Sequence, residues 1–271
     1  MASREERATS FGAIADDYDR LRSGPPEAAL DWLLPGSCEV AVDLGAGTGL
    51  LSRALAPRVA HVVAVEPDAR MAAVLRTRSA GIHVARSVAE AIPLAGASAD
   101  GMFISSAWHW MDPGPAIGEI ARVLRDGGRF GVIWTGRDHH VGWLRDLNRH
   151  RELSQACDGD SSHGSGPPAG PPAGPGADGA PRRPWRRAAT LPAGGLFGNI
   201  ETASFGFSRT MTADDFVAML ATYSGVITAS QDAAAAALAA ARDMLDLQFP
   251  GASQIDVPMR TWCWRADRAA R

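Results

Sequence analysis

Two acidic residues and three glycines form the pattern in this sequence that points most directly to chemistry. Asp43 ends one apolar run and Glu66 ends the next. The glycines follow Asp43 at alternate positions, as Gly45, Gly47 and Gly49. Glycine lets the backbone turn sharply and approach a ligand closely, because it has no Cβ. We expect two buried parallel strands joined by a helix, with a nucleoside-binding cleft at their carboxyl ends.

The charge beside the glycine turn discriminates between nucleoside cofactors. Dinucleotide-binding turns follow the pattern G-x-G-x-x-G, and Leu50 occupies the third glycine position here. A carboxylate at Asp43 would repel a pyrophosphate, but it suits the cationic amino group of S-adenosylmethionine, which carries no phosphate. Glu66 can accept hydrogen bonds from ribose hydroxyls. The pattern therefore predicts an S-adenosylmethionine site, with a nicotinamide-linked oxidoreductase on a similar fold as the alternative.

The order of several motifs resembles that of the class I S-adenosylmethionine-dependent methyltransferases. The resemblance is to their small-molecule subset, which is methyltransferase type 11-like and similar to the trans-aconitate-type enzymes. It implies an α/β fold with a Rossmann-like, seven-stranded, mostly parallel sheet, helices on both faces and an antiparallel last strand. It also implies S-adenosylmethionine as cofactor and S-adenosylhomocysteine as product. The motifs are D-L-G-A-G-T-G at 43–49, V-E-P-D at 65–68, A-E-A-I-P at 89–93 and L-R-D-G-G-R-F at 124–130.

The resemblance further implies which residues contact the cofactor. Tyr18 and Arg22 match an N-terminal family segment, and they are expected at the methionine carboxylate of the cofactor or at the acceptor. At Val88, where many relatives carry a hydroxyl side chain, only the backbone contact from Ala89 is expected to persist. The complete expected set is Tyr18, Arg22, Asp43, Gly45, Ala46, Gly47, Gly49, Glu66, Pro67, Met71, Val88, Ala89 and Ser105.

The exit of the fourth predicted strand, I-S-S-A-W-H-W-M-D at 104–112, is the expected position of the methyl acceptor. It lacks the N/D-P-P-Y motif of enzymes that methylate amino groups of nucleobases or glutamine, and it is similar to the H-W-F-D segment of small-molecule methyltransferases. His109 is the candidate catalytic residue, because imidazole exchanges protons near neutral pH; packing against the next helix is the alternative. Trp108 and Trp110 are candidate substrate contacts, with core packing as the alternative for at least one of them.

Methyl transfer from a sulfonium is an in-line displacement on an activated donor. The protein must mainly orient the reactants and exclude water, and orientation alone can lower a barrier by about 7–11 kcal/mol. A general base is needed only when the nucleophile must lose a proton. We therefore predict a methyltransferase for a small-molecule acceptor, with a non-catalytic cofactor-binding module as a further alternative.

Composition argues against several other classes of protein. The 271 residues carry a net charge of −3, which gives no indication of a nucleic-acid or anionic-membrane surface. Scattered cysteines at Cys38, Cys157 and Cys263 argue against a disulfide framework and against a metal site. The polar start and the absence of an apolar run of ~20 residues predict a cytoplasmic protein. All 27 basic residues are arginine, which with abundant Ala, Gly and Pro indicates a bacterial source.

The chain divides into four predicted segments. The sequence also allows an oligomer. Strands are expected near 39–44, 61–66, 81–85, 101–105 and 128–134, alternating with helices as in a parallel sheet. The segments are N-terminal lid helices at 1–36, the cofactor-binding core at 37–156, a Gly/Pro-rich flexible insertion at 157–195, and C-terminal strands and helices completing the sheet at 196–271.

Overall fold

The computed structural model of the chain describes residues 14–149 and 195–270. The beginning of the predicted lid segment lies outside the described residues, as does nearly all of the predicted insertion at 157–195, including Cys157. Within the described ranges, no helix is long and apolar enough to cross a bilayer. The same ranges contain no group of three or more His, Cys, Asp or Glu side chains arranged to hold a metal ion.

A seven-stranded sheet is built from both described ranges. The strand order is β3-β2-β1-β4-β5-β7-β6; neighbours from β3 to β5 pair in parallel, and β7 runs antiparallel to both β5 and β6. The predicted fold class is therefore confirmed. The strands are β1 (Val40–Leu44), β2 (His61–Val65), β3 (His83–Ala85), β4 (Ala99–Ser105), β5 (Leu124–Arg137), β6 (Phe197–Met211) and β7 (Ile255–Arg268).

Local side-chain chemistry sets several helix ends. Asp68 accepts hydrogen bonds from the N–H groups of Arg70 and Met71, and Thr212 accepts one from Asp215, so both are N-caps. The helices are α1 (Ala15–Leu21), α2 (Glu27–Leu33), α3 (Leu50–Leu55), α4 (Ala69–Arg78), α5 (Pro113–Val123), α6 (Gly142–Arg149), α7 (Ala213–Ala221), α8 (Ser224–Ile227) and α9 (Gln231–Gln248), and a 3-10 turn spans Trp108–Trp110.

The fifth strand is longer than the sequence predicted. A strand was expected only near 128–134, after a turn at Gly127 and Gly128. In the structure, Leu124 already pairs with Ala99, and pairing with β7 continues to Arg137. The antiparallel partner extends the strand, and that partner lies more than a hundred residues away in the sequence. The extension carries β5 well beyond the end of β4.

Apolar side chains form separate clusters in the sheet and above it. One cluster lies between the sheet and α5, and another lies under α2 and α3. A further cluster, here called the cap cluster, joins the end of α1 to α6, α7, α8, α9 and the start of β7. Its buried members are Leu21, Leu144, Leu147, Met211, Phe216, Met219, Leu220, Val226, Ala237, Ala241, Leu245, Ile255, Val257 and Met259.

Helix α1, here called the lid helix because it lies in the predicted lid segment, is tethered to helices of both described ranges. The Asp19 carboxylate accepts hydrogen bonds from Arg53 of α3 at 2.5 Å and from Arg78 of α4 at 2.9 Å. On the opposite side, Arg20 pairs with Asp215 of α7 at 2.6 Å. These ion pairs, together with the apolar contacts of the cap cluster, hold α1 between the glycine turn and the C-terminal helices.

Candidate active site

The glycine turn between β1 and α3 borders open space at its middle position. Gly45, Gly47 and Gly49 have φ values of 72°, 57° and 89°. A Cβ on Gly45 would lie 2.8 Å from the Cβ of Ala107, and one on Gly49 would lie 2.8 Å from Cγ of Leu75. A Cβ on Gly47 would meet no heavy atom of the described residues within 4 Å. Two of the glycines therefore permit close packing, and the middle one leaves room for a ligand.

Glu66 is fixed against this turn by the backbone. One carboxylate oxygen accepts the Gly47 N–H at 2.8 Å and the other accepts the Asp68 N–H at 2.8 Å. Burial raises the pKa of Glu66, while these two hydrogen bonds oppose the rise. Each carboxylate oxygen has a further lone pair, so the group can still accept hydroxyl donors. This is the chemistry that a ribose diol requires.

Asp43 is fully buried at the end of β1. Ser52 donates to its Oδ2 at 2.5 Å, and its Oδ1 has no hydrogen-bond partner among the described residues. Burial raises the pKa of Asp43 to about 7 against the hydrogen bonds from Ser52, and the negative charge of Glu66 raises it further. A buried acceptor without a donor is costly, so this oxygen fits a cationic donor such as an amino group.

The other residues predicted at the cofactor differ in exposure. Val88 is 46% exposed, which is unusual for a large apolar side chain and leaves it available to a flat apolar group such as a nucleobase. Ala46 binds the end of β2 through its N–H, which donates to the carbonyl of Val65 at 3.1 Å. Pro67 and Ser105 are half-buried, whereas Ala46, Met71 and Ala89 are buried.

Tyr18 and Arg22 lie together at the end of the lid helix. The Cζ atom of Arg22 is 5.4 Å from the ring centroid of Tyr18 and 4.0 Å from that of Tyr223, which precedes α8. The structure thus brings both predicted lid residues to the C-terminal helices. It also adds Tyr223, which the sequence analysis did not single out.

The two tryptophans after β4 occupy different environments. Trp108 is only 8% exposed and packs on Phe130 in the sheet core, with ring centroids 5.7 Å apart. Trp110 is half-buried, and its ring centroid is 4.6 Å from that of His109. Trp108 therefore packs in the core, which was the alternative considered for at least one of the two tryptophans. Trp110 and His109 are more exposed than Trp108.

Two residues near the cleft were missed from the sequence. Ser106 has a φ of 56°, a left-handed conformation that is uncommon for a residue with a side chain, and its N–H donates to the carbonyl of Ile133. Arg137, the last residue of β5, is 4% exposed, and its Cζ lies 5.3 Å from the ring centroid of Tyr223. Nothing in the sequence distinguishes Arg137 from the other arginines.

Comparison with known proteins finds a methyltransferase domain in part of the chain. Residues 42–132 match the family model described as a methyltransferase domain, which covers the glycine turn, both acids and the loop with His109.

Curated relatives of the chain are described as methyltransferases. An uncharacterised methyltransferase of Mycobacterium tuberculosis is 46% identical over 145 residues, which cover 54% of this chain and 60% of that protein. The chain thus spans about three fifths of the length of the curated relatives that it matches first.

Two solved structures share the fold of this chain. A candidate type II methyltransferase from Anaeromyxobacter dehalogenans superposes with a TM-score of 0.67 at 24% identity, covering 91% of this chain and 97% of the other. A phosphoethanolamine N-methyltransferase from Haemonchus contortus, solved with phosphomonomethylethanolamine and S-adenosylhomocysteine, gives a TM-score of 0.56 at 15% identity. That match covers 100% of this chain and 61% of the other.

Proposed function

We propose that this protein transfers the methyl group of S-adenosylmethionine to a small-molecule acceptor by in-line displacement. The observation that carries the proposal is the lid helix, which ion pairs hold to α3 and α4 on one side and to α7 on the other. Asp19 is bound by Arg53 and Arg78, and Arg20 by Asp215. A cleft covered in this way suits a small acceptor better than a macromolecule, because the cover excludes bulk water from the reacting atoms.

In this proposal each cofactor group has a partner from the chain. Glu66 accepts the ribose hydroxyls, the unsatisfied oxygen of Asp43 accepts the amino group, and the space beside Gly47 admits the main body of the ligand. Val88 and the backbone of Ala89 contact the adenine. When bound, S-adenosylmethionine supplies an electrophilic methyl group on a sulfonium.

The acceptor lies between the segment 104–112 and the lid helix. His109 removes a proton when the nucleophile carries one, and Trp110 covers the reacting atoms from water. The orientation of the acceptor supplies most of the catalysis, because the methyl donor is already activated. Trp108 contributes from beneath, by fixing the loop that carries His109 and Trp110 on the sheet core.

A binding experiment tests the cofactor part of the proposal. Calorimetry with S-adenosylhomocysteine should give micromolar affinity for the natural chain, and Asp43→Ala should abolish it, because a buried acceptor for the amino group is lost. NADH is the control ligand. Saturable NADH binding with no affinity for S-adenosylhomocysteine would refute the proposal in favour of an oxidoreductase.

The acceptor part is tested by following the transferred methyl group. Radiolabelled S-adenosylmethionine is incubated with the protein and a cell extract that has been separated into small-molecule and macromolecular fractions. We expect protein-dependent label in the small-molecule fraction only. Label in macromolecules alone would refute a small-molecule acceptor, and no transfer to either fraction would indicate a non-catalytic module.

A further inference from the structure

Arg137 carries a buried charge for which the described residues supply no anionic partner. Its Nε atom is enclosed and has no hydrogen-bond partner within residues 14–149 and 195–270. The adjacent Asp138 does not compensate it, because that carboxylate pairs with Arg260 at 2.8 Å and accepts the N–H of His140. Arginine stays protonated in proteins, so the cost of removing its charge from water cannot be avoided by losing a proton.

A second guanidinium contacts the same aromatic ring. Arg22 and Arg137 approach Tyr223 with their Cζ atoms 4.0 Å and 5.3 Å from its ring centroid. Cation–π contacts offset part of the desolvation cost. Two like charges around one ring nevertheless repel each other, and an anion bound between them would remove that repulsion.

The register of the sheet places Arg137 away from the cofactor. Ser105, the last residue of β4, pairs with Ile133, which is four residues before Arg137. At about 3.3 Å per residue, Arg137 lies about 13 Å beyond the end of β4. Strand β1, which leads into the glycine turn, is on the opposite side of β4 from β5. Arg137 therefore borders the part of the cleft that lies next to the cap cluster.

We propose that Arg137 and Arg22 bind a carboxylate of the methyl acceptor, with Tyr223 stacked against both guanidinium groups. The inference rests on the proposed methyltransferase function and names the chemical class of its acceptor. The planar fork of a guanidinium matches the two oxygens of a carboxylate. Because the bound guanidinium groups withdraw charge from those oxygens, this carboxylate anchors the acceptor, and another atom of the acceptor receives the methyl group.

The cofactor also carries a carboxylate. The first experiment therefore distinguishes binding of the cofactor carboxylate from binding of the acceptor carboxylate. Calorimetry compares S-adenosylhomocysteine with 5′-methylthioadenosine, which lacks the amino-acid portion, on the natural chain and on Arg137→Gln. We expect the substitution to change neither affinity by more than about twofold. A loss of affinity for S-adenosylhomocysteine alone would assign Arg137 to the cofactor and overturn the proposal.

The second experiment uses malonate as the carboxylate probe on protein saturated with S-adenosylhomocysteine. At constant ionic strength, malonate should raise the unfolding temperature of the natural chain relative to chloride, and Arg137→Gln should abolish this rise. Arg125→Gln is the control, because the Arg125 guanidinium is already paired with Asp100 near the amino end of β1, and it should keep the malonate response. No response in the natural chain, an equal response in Arg137→Gln, or a stronger response to inorganic phosphate would overturn the proposal.

A third measurement needs no ligand. Arg137→Met removes a buried unpaired charge and keeps much of the side-chain volume, so it should raise the unfolding temperature of the free protein. A lower unfolding temperature would make Arg137 a structural residue and overturn the proposal. The outcomes also separate the two proposals: a chain that does not bind S-adenosylhomocysteine contradicts the methyltransferase function, whereas binding without a malonate response removes only the carboxylate site.

Discussion

On the side of the cleft formed by β1 and β2 the functional charges are negative and have protein donors, whereas on the side formed by β5 they are positive and lie against an aromatic ring. Glu66 is held by two backbone N–H groups and Asp43 by Ser52. Arg22 and Arg137 share Tyr223. The first side is largely preformed by the chain, and in our proposal the carboxylate of the acceptor completes the second. We expect changes on the first side to alter cofactor affinity and changes on the second to alter the use of the acceptor.

After Asp43→Ala, the largest effect is expected for Glu66→Ala. It removes the acceptor for two ribose hydroxyls, and charge-assisted hydrogen bonds at about 1.5–3 kcal/mol each correspond to about a thousandfold loss of affinity for S-adenosylhomocysteine. Asp100→Ala is a matched control, because Asp100 also accepts two backbone N–H groups, from Glu39 and Val40, but at the amino end of β1. Calorimetry should show lost affinity only for Glu66→Ala, although both variants lose stability. Equal affinities in the two variants would contradict the assignment of the cofactor side.

His109→Ala should leave cofactor affinity unchanged and reduce turnover by about a hundredfold if the nucleophile must lose a proton. The fall of kcat at low pH, which protonation of a general base causes, should be lost in this variant. His83→Ala is the control, since that residue is exposed at the amino end of β3, away from the cleft. Unchanged kcat in His109→Ala would assign His109 to packing and indicate a nucleophile that is already ionised.

The buried Asp43 should give the cofactor-free protein an unusual dependence on pH. Its pKa is raised from 3.8 to about 7, so the folded state binds a proton that the unfolded state releases. Its contribution to stability is complete below pH 3.8 and is lost as pH rises through 7, by at most about 1.4 kcal/mol per pH unit. Denaturant unfolding between pH 5 and 7 checks this, and Asp43→Asn should flatten the profile. Saturating S-adenosylhomocysteine should also reduce the slope; a slope that the ligand does not change would separate Asp43 from the amino group.

The smallest effect is expected for Gly47→Ala. A methyl group there enters the open space beside the turn and should weaken cofactor binding by about tenfold. Gly81→Ala carries the same backbone penalty, because Gly81 has a φ of 83° and open surroundings, but it lies before β3 and away from the cleft. Both variants should lose about 1 kcal/mol of stability, and only Gly47→Ala should lose affinity. If Gly81→Ala weakened binding equally, backbone strain would explain both results.

The two sides of the cleft also differ in how much of their arrangement the sequence predicts. The glycine turn, Glu66 and the Asp68 cap are set by residues within about one βαβ unit, so their spacing alone indicates their arrangement. Arg22, Arg137 and Tyr223 are joined only by tertiary packing. The N-terminal family segment indicated Arg22, but no local pattern marks Arg137 or Tyr223. The extension of β5 depends on a partner strand far along the chain.

The same limit applied to the loop after β4. Its motif indicated the acceptor side but could not assign each side chain to a surface. Trp108 packs in the core because the 3-10 turn directs it to Phe130, while Trp110 contacts His109. The left-handed Ser106 was also unpredictable, since tertiary contacts rather than residue type impose its conformation.

The lid helix has only seven residues, and two turns are too few for a helix to persist in water by itself. Its contacts with the rest of the chain therefore keep it folded, and dissolved salt weakens its ion pairs to different extents. Asp16 and Arg20 meet their partners at the surface, where mobile ions screen them, whereas Asp19 is sheltered. Rising ionic strength would weaken the ion pairs of Asp16 and Arg20 first, and the lid helix would then stay attached through Asp19.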